Sequence, residues 1–340
     1  MAILKHIISG ALMLVLLSGC YEDITPRIDV QPVLCLNSLI TAGQPIKVDV
    51  SHTWVYTDVE ASRDHSVADA RISIFANGEL RNPDYIPREG DEIRILVESP
   101  TYGSAEATVA VPHAVEIASL SWTPAVISAG SWDSEEEHYE MVGYCTFNIS
   151  ADLEFTDPAG VENYYSFSYF STFHSGSDEN NGTPLADFYP GTFKFETEPI
   201  FSEHIGAFEA VMGDDTYGFP FFTDRQISGR SYSLHLCMAD ASYSVCSPIL
   251  DPELLDCTYE FTLHSVSKSY YSWSLYQWHR DVGPLGDLSD VGLSEQLAGY
   301  SNVSTGAGVV AAQTYATATI PLAPYRGDIN IGQPTRRGMG

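Results

Sequence analysis

Residues 144–156 read YCTFNISADLEFT. Cys145, Phe147, Ile149, Ala151, Leu153 and Phe155 alternate without a miss against Thr146, Asn148, Ser150, Asp152 and Glu154. In an extended chain successive side chains point to opposite faces, so this pattern is a strand with one face buried and one in water. A helix would scatter the same apolar residues around its circumference. Thr156-Asp157-Pro158-Ala159-Gly160 follows as a turn, with Pro and Gly where turn chemistry puts them. Tyr165, Phe167 and Tyr169 return as the next strand. The pair sets the fold class as mainly β.

Towards the N-terminus the same period recurs. Pro32 to Leu36 starts a strand, and Ile46, Val48 and Val50 alternate with Lys47, Asp49 and Ser51. Ile72 and Ile74 lead into Asn77-Gly78, the pair that a tight hairpin with positive φ angles wants. Ile93, Ile95 and Val97 form a further strand, and Tyr102-Gly103 turns into Ala105, Ala107 and Val109. Several short strands with regular turns predict an immunoglobulin-like β-sandwich over residues 32–113. Residues 113–140 read as a bridge, with Val115 to Trp122 able to form a strand and an acidic, solvated loop around Glu135-Glu136-Glu137.

Towards the C-terminus, Tyr232, Leu234 and Leu236 form a strand, as do Tyr259, Phe261 and Leu263. The period then changes. In SKSYYSWSLYQWHR, Ser267 to Arg280, the residues Tyr271, Leu275 and Trp278 lie on one helical face. Ser267 is the expected N-cap, and Gly283-Pro284 the stop. Val309 to Ile320 is a last strand. The second unit is thus a larger β-sandwich-like domain over 114–323, with one packed helix and a long insert at 172–229. Residues 324–340 form a loose tail.

The insert holds Phe188, Tyr189, Phe193, Phe195, Phe201, Phe208, Tyr217, Phe219, Phe221 and Phe222. Long aperiodic loops are uncommon and often functional. Two readings stand. Phe188, Tyr189, Phe193, Tyr217, Phe219 and Phe221 grip a glycan, a peptide or a partner protein, or the rings fold back as a secondary core.

The first 23 residues give an address. Lys5 and His6 precede an apolar run, Ile7 to Leu17, that is too short for an ordinary membrane-spanning helix of about 20 residues. It ends in Leu17-Ser18-Gly19-Cys20, which resembles a bacterial lipobox. Residues 1–19 read as a signal peptide, Cys20 as the lipidation site, and 20–31 as a tether. Glu22 and Asp23 resemble a surface-export signal, which implies an outer-membrane lipoprotein facing the exterior; a periplasmic acidic linker is the alternative.

The chain of 340 residues carries 16 Lys and Arg against 45 Asp and Glu, a formal net charge of −29. So acidic a surface repels phosphate backbones, which excludes nucleic acid as an expected partner. Contact with a membrane is expected through the lipid alone. Five cysteines follow Cys20. Cys35, Cys145 and Cys257 read as small buried hydrophobes in phase with strands. Cys237 falls out of phase, and a bridge among Cys237, Cys246 and Cys257 is open.

Chemistry is sparse. No HExxH or GxSxG occurs, and His138 lacks a second histidine after Glu135-Glu136-Glu137. His235 and His264 fall in the polar phase of strands. Ser177 to Gly182 imitates a calcium loop, but its twelfth position is Phe188, which supplies no carboxylate. Asp214-Asp215 is a weaker cation candidate. No metal or other cofactor is expected.

The ordered set "LNSLITAGQPIKVDVSHT", "VADARISIFANGEL", "LEFTDPAGVENYYSFS", Gly229 to Tyr232, "SVSKSYYSW" and "YSNVSTGAGVVAA" resembles the Bacteroidota lipoproteins of the domain-of-unknown-function 4249 family. The resemblance covers most of residues 20–318. It implies a TonB-dependent outer-membrane receptor as partner and an accessory role in uptake, with no catalytic residues to transfer. A surface adhesin or structural protein is the second expectation. A glycan-directed enzyme, which needs paired carboxylates, is the third.

Overall fold

A computed structural model describes residues 31–54, 65–130, 143–174, 186–195, 198–202, 219–245, 256–281 and 299–321. The first strands are β1 (Leu34–Thr41), β2 (Asp49–His52), β3 (Arg71–Ala76), β4 (Glu79–Leu80), β5 (Glu92–Ser99) and β6 (Gly103–Ala110). The long middle strands are β7 (Ile117–Gly130), β8 (Gly143–Thr156) and β9 (Tyr164–His174). Short β10 (Ala186–Tyr189), β11 (Thr192–Phe193) and β12 (Phe221–Thr223) precede β13 (Ser231–Val245) and β14 (Asp256–Val266). Helix α1 (Lys268–Asp281) and β15 (Val310–Pro321) complete the order. The mainly β class expected from the alternation is what the chain adopts.

These strands make three sheets. The first is four-stranded, β4-β3-β5-β6; the second has five strands, β10-β13-β8-β7 with β11 also on β13; the third is six-stranded, β12-β9-β14-β15-β1-β2. The β3–β4 hairpin turns at Asn77 (φ 53°) and Gly78 (φ 80°), the left-handed pair its sequence called for.

Register explains how the layers stack. In β15, Val310 and Ala312 stand beside Ser38 and Ile40 of β1, while Ala316 and Ala318 stand beside Leu263 and Phe261 of β14. Registered partners share a sheet face, so both cores form on the same face of the six-stranded sheet. Over β1 and β15 the four-stranded sheet closes a core of Leu34, Leu36, Ile40, Val310 and Ala312 with Ile74, Ile93, Ile95, Val97 and Val109. Over β9 and β14 the five-stranded sheet closes a larger core of Phe167, Phe261 and Leu263 with Phe147, Ile149, Leu153 and Leu234. The opposite face bears Tyr164 and Val266, which with Phe219 and Phe221 receive Tyr270, Tyr271, Leu275 and Trp278 of α1. The helical stripe read from the sequence is the packed one.

Four features differ from the sequence reading. Residues 32–113 do not close a sandwich alone, because β1 pairs in parallel with β15. Local alternation carries no record of a partner so far along the chain. The strand allowed over Val115 to Trp122 is present but runs further into the expected bridge, β7 pairing with β8 from Ile117 to Gly130. Cys35 lies between the buried Leu34 and Leu36, so it points to the other face and is half-exposed. Finally, Cys237 and Cys257 stand on strands of different sheets and do not bridge each other. Cys20, Cys246 and the tail lie outside the described residues.

The insert is largely sheet and core where it is described. β10 and β11 pair with β13, and β12 pairs with β9. Two buried carboxylates tie it to the strands that flank it. Asp157 accepts from the Tyr165 hydroxyl at 2.5 Å, Asn163 Nδ2 at 3.1 Å and the Gly229 amide at 2.9 Å. Glu198 accepts from the Tyr232 hydroxyl and from the His235 amide at 2.7 Å. A buried carboxylate is tolerated only with such donors around it.

Candidate functional site: a cleft at the start of the helix

The strands of the six-stranded sheet are staggered. β9 begins at Tyr164 and β14 ends at Val266, while β15 and β1 pair beyond that level. The step leaves a corner, and the chain turns there into α1. The end of β6 and the β8–β9 turn close the corner into a cavity of about 670 Å³. Its walls include Val109, Val111, Pro158, Val161, Tyr164, Val266, Tyr300 and Asn302, with Ser265, Ser267, Lys268 and Ser269 at the helix start.

Each wall has a local cause. Pro158 and Gly160 (φ 83°) turn β8 into β9, and Asn163 Nδ2 ties that turn to Asp157, Pro158 and Val161. Ser267 caps the helix: its Oγ accepts from Tyr270 N–H at 3.3 Å and Ala312 N–H at 3.0 Å. Ser269 donates to Val310 O at 2.9 Å. Asn302 clamps the same residue, accepting from Val310 N–H at 2.9 Å and donating to Val310 O at 2.8 Å. The helix start is therefore fixed to β15 by side-chain hydrogen bonds.

Charge is confined to the mouth. Lys268 Nζ lies 3.5 Å from Glu162 Oε2, both side chains being exposed. The Tyr164 hydroxyl and then Lys268 hold the Glu162 carboxyl below its usual range. Tyr164 and Glu162 raise the Lys268 ammonium in turn. Burial first, then Glu162, pushes the Tyr164 phenol up. In the same lining Ser265 is 4 % exposed, and among the described residues neither its hydroxyl nor that of Thr314, its cross-strand neighbour, has a hydrogen-bond partner.

The aromatic residues expected to grip a ligand are dispersed. Phe193 is buried in the larger core, and Phe219 and Phe221 are buried under α1. Phe188 is half-buried and stacks on Phe173 at 5.1 Å. Tyr189 alone of the six is well exposed, at 55 %, among those described; Tyr217 lies outside the described residues. Phe201 and Phe222 are core residues as well. The calcium-like loop at 177–182 and Asp214-Asp215 also lie outside the described residues.

Two other arrangements carry chemical interest. On the open face of the five-stranded sheet, His235 Nδ1 lies 2.9 Å from Asp152 Oδ1, and Ser150 Oγ lies 3.4 Å from His235 Nε2. This has the connectivity of a nucleophile relay. The amides of these strands are taken up in the ladder or, at His235, by Glu198, so among the described residues no amide pair is left for a reacting oxygen. Elsewhere Trp54, 49 % exposed, stacks on His65 at 4.1 Å, which meets His52 edge-on, which stacks on Tyr102. Among the described residues no three His, Cys, Asp or Glu side chains converge to hold a metal ion.

Sequence reasoning identified the N-cap Ser267 but not the cleft. Glu162, Ser265 and Lys268 carry no motif, and strand stagger brings them together. No curated protein and no solved structure matches the chain. A family model described as a domain of unknown function, DUF4249, matches residues 21–319, and the chain belongs to that family.

Proposed function

We propose that the protein is a lipoprotein anchored through Cys20 in the outer membrane and facing the exterior, acting as a non-catalytic binding component beside a TonB-dependent receptor. The observation that carries this reading is Leu17-Ser18-Gly19-Cys20 followed by Glu22 and Asp23, ahead of a β body. Small residues at 18 and 19 admit a peptidase to the backbone, and the thiol accepts the lipid. Several acyl chains, at about 0.8 kcal/mol per buried CH₂, hold such an anchor durably. An acidic body with a sizeable cleft, and few convergent catalytic groups among the described residues, suits binding better than turnover.

Purification of the lipidated chain from detergent-solubilised membranes of its native cells tests the partner. Co-recovery of a TonB-dependent receptor in stoichiometric amount is the expected result. Recovery of the intact anchored chain with no outer-membrane receptor contradicts it.

A further inference from the structure

We infer that the cleft at the start of α1 binds a ligand that ends in a carboxylate and carries an apolar body. This rests on the reading of the chain as a binding protein and names the chemistry of its ligand. Ser267 takes the Tyr270 N–H on its hydroxyl and the Tyr271 N–H on its carbonyl at 3.1 Å. The two amides before them, of Lys268 and Ser269, have no intrahelical acceptor, and both residues belong to the cavity lining. A 14-residue helix adds a partial positive charge at this end.

Ser265 supplies a second, independent indication. Its cross-strand partner is Thr314, so its side chain lies on the sheet face that β6 covers, and β6 forms the opposite wall of the cavity. A buried hydroxyl without a partner is destabilising unless something is meant to meet it. A carboxylate oxygen accepts from a hydroxyl, from amides and from an ammonium alike, and Lys268 stands at the mouth. Val109, Val111, Pro158, Val161 and Val266 offer the remaining surface to an apolar body. The volume, about 670 Å³, lies within the range of small-molecule sites.

Two charges oppose this and are weaker. Glu162 is exposed, so water screens its charge, and its pairing with Lys268 at 3.5 Å is loose enough to leave the ammonium able to turn to a ligand. The formal charge of −29 acts over the whole surface, and salt screens it beyond about 8–10 Å. Local donors therefore decide.

A free carboxylic acid and the C-terminus of a short peptide present the same group. The full chain in lipid nanodiscs, with empty discs subtracted, is titrated with hexanoate, acetyl-Ala-Leu-Val with a free C-terminus, the same peptide amidated, and hexylamine. Isothermal calorimetry reads affinity and saturation-transfer NMR reads the apolar contact. The account expects binding of an acid probe and a loss of about tenfold or more on amidation. Tighter binding of the peptide acid assigns peptide termini, and the reverse assigns free acids. Ser265→Ala and Lys268→Gln each weaken the acid by about fivefold, and Ser265→Ala leaves the melting temperature unchanged or higher. Val161→Trp, at a turn position 63 % exposed, abolishes binding by filling the mouth.

Equal affinity for acid and amide, preference for hexylamine, or silence of every probe overturns the assignment. Silence with the receptor still co-purifying removes the ligand class alone. Acid binding without a receptor removes the accessory role alone.

Discussion

Asn37 Oδ1 accepts the Val309 amide at 3.0 Å, joining two positions 272 apart in the chain. Beside it, Leu36 N–H donates to Ala307 O at 2.8 Å, and Gly308 passes so close that a Cβ there would meet Leu36 O at 2.2 Å. Gly308 also holds φ at +109°, where side chains are strained. Gly308→Ala is expected to destabilise the protein by about 3 kcal/mol or more, read by urea denaturation. A loss under about 0.5 kcal/mol would show that the parallel β1–β15 contact is not held this tightly.

The same pairing sets what can fold alone. A fragment of residues 32–113 keeps β1 to β6 but loses Val303, Val310 and Ala312 from its core and the partner of β1. It is expected to give collapsed amide dispersion in a proton–nitrogen NMR spectrum. A dispersed, cooperative spectrum would contradict the shared core.

Asp157 is 1 % exposed and ties β9, the β8–β9 turn and Gly229 together. Asp157→Ala strands those donors and is expected to cost about 2–4 kcal/mol, against about 1–2 kcal/mol for Tyr165→Phe. Chemical denaturation of both variants measures the difference, and equal small losses would argue against the anchor.

How much of this was legible beforehand varies with range. Alternation named β8 and β9, and Asn77-Gly78 named its hairpin, because those signals are local. Ser267 was legible because a cap needs only its own helix. The burial of Phe193, Phe219, Phe221 and Phe222 was open, since rings among Gly, Pro and Asp suit a surface as well as a core. Once placed, a buried ring such as Phe222 contributes about 2–3 kcal/mol, which favours the inward solution. The cleft was hidden because Glu162 and Lys268 meet only through strand stagger.

Asp91 gives the acid limb of stability. Burial pushes its carboxyl up, but donors from the Tyr85 hydroxyl, the Arg88 amide and Asn77 Nδ2 outweigh this and hold it below the usual range. A depressed carboxyl stabilises the fold above its unfolded value, about 3.9, and that contribution fades as pH falls through the folded value. Asp91→Asn should therefore flatten the loss of stability below about pH 4. An unchanged acid limb in melting curves would count against it.

His264 acts in a higher window. Burial lowers its basicity, opposed by Gln313, and Ser168 Oγ lies 2.9 Å from Nε2. Its neutral form favours the fold above about pH 6.5, and that contribution is lost as pH falls towards the depressed folded value. His264→Gln should remove this step, which sets in as pH falls below about 6.5, in thermal melts; a step of the same size in the variant would assign it to another group.

The proposed function stands on Cys20, and labelling cells with an alkyne-tagged palmitate measures it directly. The native chain should take up the label and sediment with membranes, and the Cys20→Ala chain should do neither. Absence of label from both, with both chains washing free of membranes, would contradict the anchor and the role built on it.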